Sequence, residues 1–278
     1  MIETPIGVTD FVPEDAKIHK EQYACLNSLF AKLQYEPIRT PTIEYYDSLA
    51  QGIGPSLEQS SIKFIDPTGK VLVLRPDHTT PIARMVATQM KEATLPLKLY
   101  YMDPVFRNTT ENNQNIEIFQ AGCEYIGNDS AAADSDIIKC CIEALQALGY
   151  DDIGIDIGHI SFIDGLSDQD KQSLLDGNYL AFGRIPKRGG LELVKDQQGV
   201  AAVYKDLTKT YPSADITINR GLVKGIRYYT GIIFEAYLKS SRHVVASGGR
   251  YNYLLAKFGY DQPAVGFALN LSVLRALK

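Results

Sequence analysis

The stretch Lys224-Gly225-Ile226-Arg227-Tyr228-Tyr229-Thr230-Gly231 leads into Ile232, Ile233 and Phe234, an apolar run that reads as a strand entering a buried sheet. Two cations and two phenols at the mouth of such a strand leave two readings. They lie on a solvated edge, or they face a pocket for a small charged ligand. The same ambiguity attaches to Asp77 and Thr79 in "RPDHT" and to Gln120 and Glu124 in "FQAGCEY". Taken singly, Asp77, Gln120 and Glu124 merely satisfy strand ends, as most polar residues beside turns do. Brought together, carboxylates and a carboxamide would hold nitrogen donors.

Positioning these groups falls to alternating helices and hairpins. Residues 15–33 place Ile18, Tyr23, Leu26, Leu29, Phe30 and Leu33 at helical spacing, which predicts an amphipathic helix. Pro37 and Pro41 keep "YEPIRTPTIEYYD" extended. In "IKFIDPTGKVLVLRPD", Pro67 and Gly69 bracket a turn between two β-rich runs, a hairpin. Helical spacing resumes in "TPIARMVATQM", with Pro81 tolerated near the start. "LPLKLYYMDPVFR" and "IEIFQAGCEYIG" form a second strand pair joined by "NTTENNQN". "DSDIIKCCIEALQALGY" predicts a helix capped by Asp134 or Ser135 and stopped by Gly149.

A strand "IGIDIGH" follows, and residues 160–213 then carry short polar helical pieces around "PKRGG", a plain loop with Lys187 and Arg188 in solvent. Strands return in "DITINRG", "GIIFEAYL" and "HVVASGG", and the apolar "AVGFALNLSVLRAL" supplies a final helix. Hairpins dominate over βαβ units, so the fold class is α+β with a mainly antiparallel sheet. The expected division is a core in two parts, 1–159 and 214–278, around a small helical insertion at 160–213.

Bulk properties narrow the function classes. A chain of 278 residues, 45% hydrophobic and 22% charged, can bury a real core and carries no signature of disorder. Its net charge of -5 gives no basic field to hold a phosphate backbone, so no nucleic-acid partner is expected. Cys25, Cys123, Cys140 and Cys141 match neither a metal clip nor a disulfide framework and read as small buried hydrophobes. The amino-terminal segment has no signal-peptide pattern, and no apolar run reaches the ~18 residues of a membrane span; a cytoplasmic protein is expected. His78 and His159 stand alone, so neither a metal nor a cofactor is implied. "SGGRY" reads as a tight strand-to-helix turn beside Arg250.

Read together, "GVTDFVPEDA", "LRPDHTTPIAR", "VFRNTTENNQNIEIFQAGCEYIG", "KGIRYYTGIIFE" and "SGGRYNYLL" followed by "PAVGFALNLSVL" resemble, in order and spacing, the catalytic core of histidyl-tRNA synthetase, a class II aminoacyl-tRNA synthetase. The resemblance implies an antiparallel sheet flanked by helices, dimerised through the first long helix and the strand after it. Pro41 falls where that family's first motif keeps its proline. It also implies a histidine-binding set: Asp77, Thr79, Arg107, Gln120, Glu124, Lys224, Tyr228 and Tyr229. Asp77, one methylene shorter than the family's glutamate, and Thr79 lie near the α-amino group, as does Gln120; Glu124 and Tyr229 hold the imidazole. Arg107 matches the motif-two arginine that meets the α-phosphate. Strand alternation turns Tyr228 away from Tyr229, toward packing.

Against that pattern the ATP side is depleted. Thr109 replaces the adenine-reading glutamate, Ile118 replaces the stacking ring with Phe119 one residue off, and "NTTENNQN" holds no Arg or Lys. Asn270, Ser272 and Val273 stand for glycine, glutamate and the essential arginine of motif three, and Lys224 for the catalytic arginine, with no bidentate fork. Arg227 replaces an acid by a base. No anticodon-binding domain is expected. A kept histidine side and a lost ATP side resemble the regulatory subunits of short-form ATP phosphoribosyltransferase in histidine biosynthesis. This implies a non-catalytic subunit, a homodimer within a hetero-oligomer, that supports the short catalytic subunit and takes histidine as effector. The alternatives are a stand-alone histidine-activating enzyme and a purely structural partner.

Overall fold

The computed structural model describes residues 3–108, 115–164, 166–175, 188–194, 198–222 and 229–277. Helix α1 (Pro13–Lys32) starts on a proline, whose missing N–H costs nothing in a first turn, with Glu14 and Asp15 at its positive end and Lys32 at its negative end. Its inner face, Gln22, Leu26 and Phe30, repeats every four residues. Short strands β1 (Glu36–Pro37) and β2 (Ile43–Tyr45) follow, then α2 (Tyr46–Ala50) and α3 (Pro55–Ser60). The predicted hairpin is present as β3 (Lys63–Ile65) and β4 (Val71–Leu74). Asp66 Oδ1 closes its turn by accepting the Thr68 and Lys70 amides at 2.7 and 2.9 Å, and Gly69 supplies the positive φ of 84°.

Helix α4 (Thr79–Gln89) precedes the long pair β5 (Leu97–Phe106) and β6 (Glu117–Ile126). Helix α5 (Ala131–Ala147) is capped by Ser130, whose Oγ accepts the Ala133 amide at 3.2 Å. The predicted caps, Asp134 and Ser135, lie one turn inside the helix because Asp134 is drawn to Arg250. Strand β7 (Ile153–His159) leads to α6 (Asp168–Leu175), β8 (Arg188–Gly189) and α7 (Gln198–Thr210). Strands β9 (Asp215–Asn219), β10 (Ile232–Leu238) and β11 (Val244–Arg250) come next. The last apolar segment is only partly helical: it divides into β12 (Ala264–Asn270) and a short α8 (Leu271–Ala276). A continuous apolar run has no period to separate strand from helix, and here the central place in the sheet decides.

The main sheet runs β1-β5-β6-β12-β11-β10-β7-β9-β8, antiparallel except at β1–β5 and β7–β9. Alternation gives it two faces. Ala121, Cys123, Ile155, Ile157, Ile218, Phe234 and Phe267 pack toward α1, α5 and α7 in the principal core. The opposite face carries Tyr101, Gln120, Gly122, Glu124 and Gly266, with α4 and the turn Leu255–Phe258 packed on its apolar end. Arg188 is not simply in solvent: it ion-pairs with Asp156 and stacks over Tyr237 at 5.1 Å. "SGGR" likewise lies within strand β11 rather than in a turn. Among the described residues no helix is long and apolar enough to cross a membrane.

Candidate functional site

Glu124 is the centre of the site. It sits on β6, 1% exposed, opposite Leu99 of β5 and Gly266 of β12. Its Oε1 accepts the Thr79 hydroxyl at 3.0 Å, and its Oε2 accepts the Tyr251 hydroxyl. A side chain at position 266 would overlap that Oε2, so only glycine lets the carboxylate lie flat across the sheet. Two more glycines lower the floor beside it. A Cβ on Gly122 would fall 2.5 Å from the Tyr101 hydroxyl, and one on Gly249 would fall 2.9 Å from the Tyr229 ring. Burial pushes the Glu124 carboxyl up to about 8; the bonds from Tyr251 and Thr79 oppose that shift and the charge of Asp77 adds to it.

Asp77 enters from the loop before α4. Its Oδ2 accepts the Thr80 amide at 3.2 Å and the Thr80 hydroxyl at 2.9 Å, holding the first turn of the helix. Its Oδ1 is buried and has no hydrogen-bond partner among the described residues. Burial raises the Asp77 carboxyl too, against the Thr80 bonds and the charge of Arg107. Arg107, at the end of β5, donates from Nε to the Pro76 carbonyl at 2.7 Å, which fixes its guanidinium on the Asp77 loop. Next to Asp77 in the chain, His78 stacks on Tyr101 at 4.1 Å with its Nε2 2.9 Å from the Asp103 carbonyl. Burial, then Arg75, pushes His78 down to about 3, so it serves as a neutral packing group. Burial also raises the Tyr229 phenol, helped by Glu124, Glu235 and Asp77.

The sequence-predicted residues therefore divide into three groups. Asp77, Thr79, Arg107, Glu124 and Tyr229 surround one region of the sheet face, and each is tied to another by a hydrogen bond or by its field. Gln120 is buried on the same face of β6, four residues before Glu124, in register with Asp103 and Asn270. Lys224 and Tyr228, with Arg227, lie outside the described residues, as do Thr109 and the "TENNQ" that follows it. Sequence reasoning missed Tyr251 and Tyr101. Only the register of "SGGRY" against β12 could have signalled Tyr251, since the residue after Arg250 must return to the acid-bearing face.

The junction of β12 and α8 is built differently. Asn270 Oδ1 caps α8 by accepting the Val273 amide at 3.1 Å, and Ser272 Oγ accepts the Phe119 amide at 3.0 Å. Val273 packs on the principal core. The Phe119 ring turns to the α1 side, edge-on to Phe11 and His19 at 5.2 and 4.8 Å. Asn270 and Ser272 thus serve local backbone amides, and the α8 cation Arg275 lies over the Phe11 ring at 4.5 Å.

Comparison with known proteins bears on the family and the fold. The histidyl-tRNA synthetase family profile matches residues 7–178 and 183–274. An ATP phosphoribosyltransferase regulatory subunit from Carboxydothermus hydrogenoformans is 34% identical over 97% of the chain and 94% of its own length. Another, from Halothermothrix orenii, is 32% identical over 99% of the chain and 76% of its length. The chain belongs to the ATP phosphoribosyltransferase regulatory-subunit family. A solved structure described as an ATP phosphoribosyltransferase regulatory subunit/histidyl-tRNA synthetase from Bacillus halodurans superposes with a TM-score of 0.85, 30% identity, and coverage of 99% and 82% of the two chains. Regulatory subunits of this family thus share the synthetase-like α+β fold expected from the sequence motifs.

Proposed function

We propose that this regulatory subunit is non-catalytic, assembles as a homodimer with the short-form catalytic chain of ATP phosphoribosyltransferase, and confers histidine feedback on it through the pocket around Glu124. The observation that carries the reading is a pair of buried acids, Asp77 and Glu124, of which Asp77 keeps an unpartnered Oδ1. A buried polar atom without a partner is costly unless something else satisfies it. An ammonium group suits Asp77 Oδ1, and an imidazole N–H suits Glu124 with Tyr229 and Tyr251 alongside. The motif-three positions support the non-catalytic part, because Asn270, Ser272 and Val273 serve capping, strand bonding and packing.

Regulation needs no chemistry here. If histidine favours the inhibited assembly over the active one, it shifts the population by that difference in affinity. The test is calorimetry of histidine on the whole chain and on Glu124→Ala. Wild-type binding with a loss of about a hundredfold or more in the variant is expected; equal affinities would remove the ligand from this pocket. Adding the chain to the short catalytic subunit is expected to raise transferase activity and make it histidine-sensitive. Histidine-dependent exchange of pyrophosphate into ATP, measured on the chain alone, is expected to be absent; its presence would make the chain an activating enzyme.

A further inference from the structure

Arg250 is the last residue of β11 and points away from the pocket, toward α5. It is buried, 5% exposed, and all three nitrogens of its guanidinium have partners. Nε and Nη2 meet Asp134 Oδ1 at 2.9 and 2.8 Å. Nη1 reaches the Asn128 carbonyl and Asp129 Oδ1, each at 3.1 Å, and Asn252 Oδ1 at 3.2 Å; Nη2 reaches the Ser130 carbonyl at 3.3 Å. One side chain thus binds the whole approach and first turn of α5. Only a planar fork offers that many donors at once, and a lysine ammonium has no such geometry.

The backbone at the same residue serves the other face. The Arg250 carbonyl accepts the Thr230 amide at 2.7 Å, and Thr230 Oγ1 accepts the Asn252 amide at 2.9 Å, strapping residues 229–231 along 250–252. Gly231 lets the two segments pass closely: a Cβ there would lie 3.1 Å from Arg250 Cδ. The pocket tyrosines are the immediate neighbours of this strap. Tyr229 precedes Thr230, and Tyr251 follows Arg250 and bonds Glu124. On the far side α5 continues the linkage outward, through Lys139 to Asp206 at 2.7 Å and Glu143 to Tyr211 at 3.0 Å, into α7 and the turn after it.

We infer that Arg250 is the positioning residue that couples the Glu124 pocket to helix α5, setting both Tyr229 and Tyr251 from one anchor and passing pocket occupancy through the sheet to the α5–α7 layer. The inference rests on the histidine reading above and adds a route for it. A side chain in this role acts on affinity by holding the groups that touch the ligand.

The experiment uses the full chain, with Arg250→Lys and Asp134→Asn, each checked for cooperative melting. Histidine affinity is expected to fall about ten- to a hundredfold in each, by analogy with the outer-shell partners of metal ligands. The double variant is expected to be no weaker than the worse single one, since both break one link. Hydrogen exchange supplies the readout that a purely structural role would not move. Histidine is expected to protect the amides of residues 131–135 in the wild-type chain and to leave them unchanged in the variants. Affinities within twofold of wild type, or no response at 131–135 in the wild-type chain, overturn the coupling while leaving the pocket intact. If Arg250→Lys does not fold, Asp134→Asn decides alone. A wild-type chain that binds no histidine removes the pocket reading and this inference together.

Discussion

The Glu124 region and the start of α8 satisfy their polar groups in different ways. Around Glu124 and Asp77, two carboxyls are sunk beside a glycine-lowered floor, and burial raises both of them. Around Asn270 and Ser272 each polar side chain has a backbone partner, and an apolar residue fills the next position. Folding alone accounts for the second arrangement. It does not account for the first, because Asp77 Oδ1 is buried with no hydrogen-bond partner among the described residues, and a buried polar atom left unpaired is costly. That asymmetry is what the proposed ligand pocket around Glu124 rests on, whereas the residues at the start of α8 cap, bond and pack locally.

Gly266→Ala should break the comparison most severely. Its new methyl group displaces Glu124 Oε2, so histidine binding is expected to fall below detection by calorimetry, with about 1–3 kcal/mol lost from unfolding free energy through overpacking. Full binding by that variant would mean Glu124 is not the group that meets the ligand.

Glu124→Gln sharpens it through pH. The folded carboxyl is raised to about 8 from its ordinary 4.5, so the folded chain favours the protonated form. Stability from this group is full below about pH 4.5 and is lost as pH rises through about 8. The amide cannot ionise, so urea midpoints of variant and wild type should coincide near pH 4.5 and separate by pH 8.5, the variant being more stable by up to a few kcal/mol. Parallel midpoint curves over that range would show that Glu124 ionises freely in the folded chain.

Ser272→Ala should have the smallest effect. It leaves the Phe119 amide without its acceptor, at a cost of about 1–2 kcal/mol in denaturant unfolding, and histidine affinity is expected to stay within twofold. A large loss of affinity would make the α8 end part of the binding machinery.

Much of the scaffold was legible in the order of residues. Helical spacing marked α1, α4 and α5, proline and glycine marked the 63–74 hairpin, and alternation gave the β5–β6 pair. Alternation also separated Glu124 from Phe119, placing the acid on one face and the ring on the other. The errors share one cause. Asp134 was a natural cap by local rules, yet its partner is Arg250, 116 residues away, and Ser130 caps instead. Arg188 looked like a loop cation until Asp156, 32 residues earlier, proved to be beside it. Tyr251 gave no local sign of reaching Glu124, 127 residues away.

The sequence by itself determined most of the element types, the faces of the strands and the identity of the acids, because these follow from spacing along a chain whose side chains alternate or repeat at fixed intervals. Only the tertiary structure decided that the acids are buried, that glycines leave room for them, and that one arginine joins the pocket strap to a helix on the far face. Those outcomes depend on which distant residues become neighbours, and desolvation and hydrogen bonding act on neighbours in space.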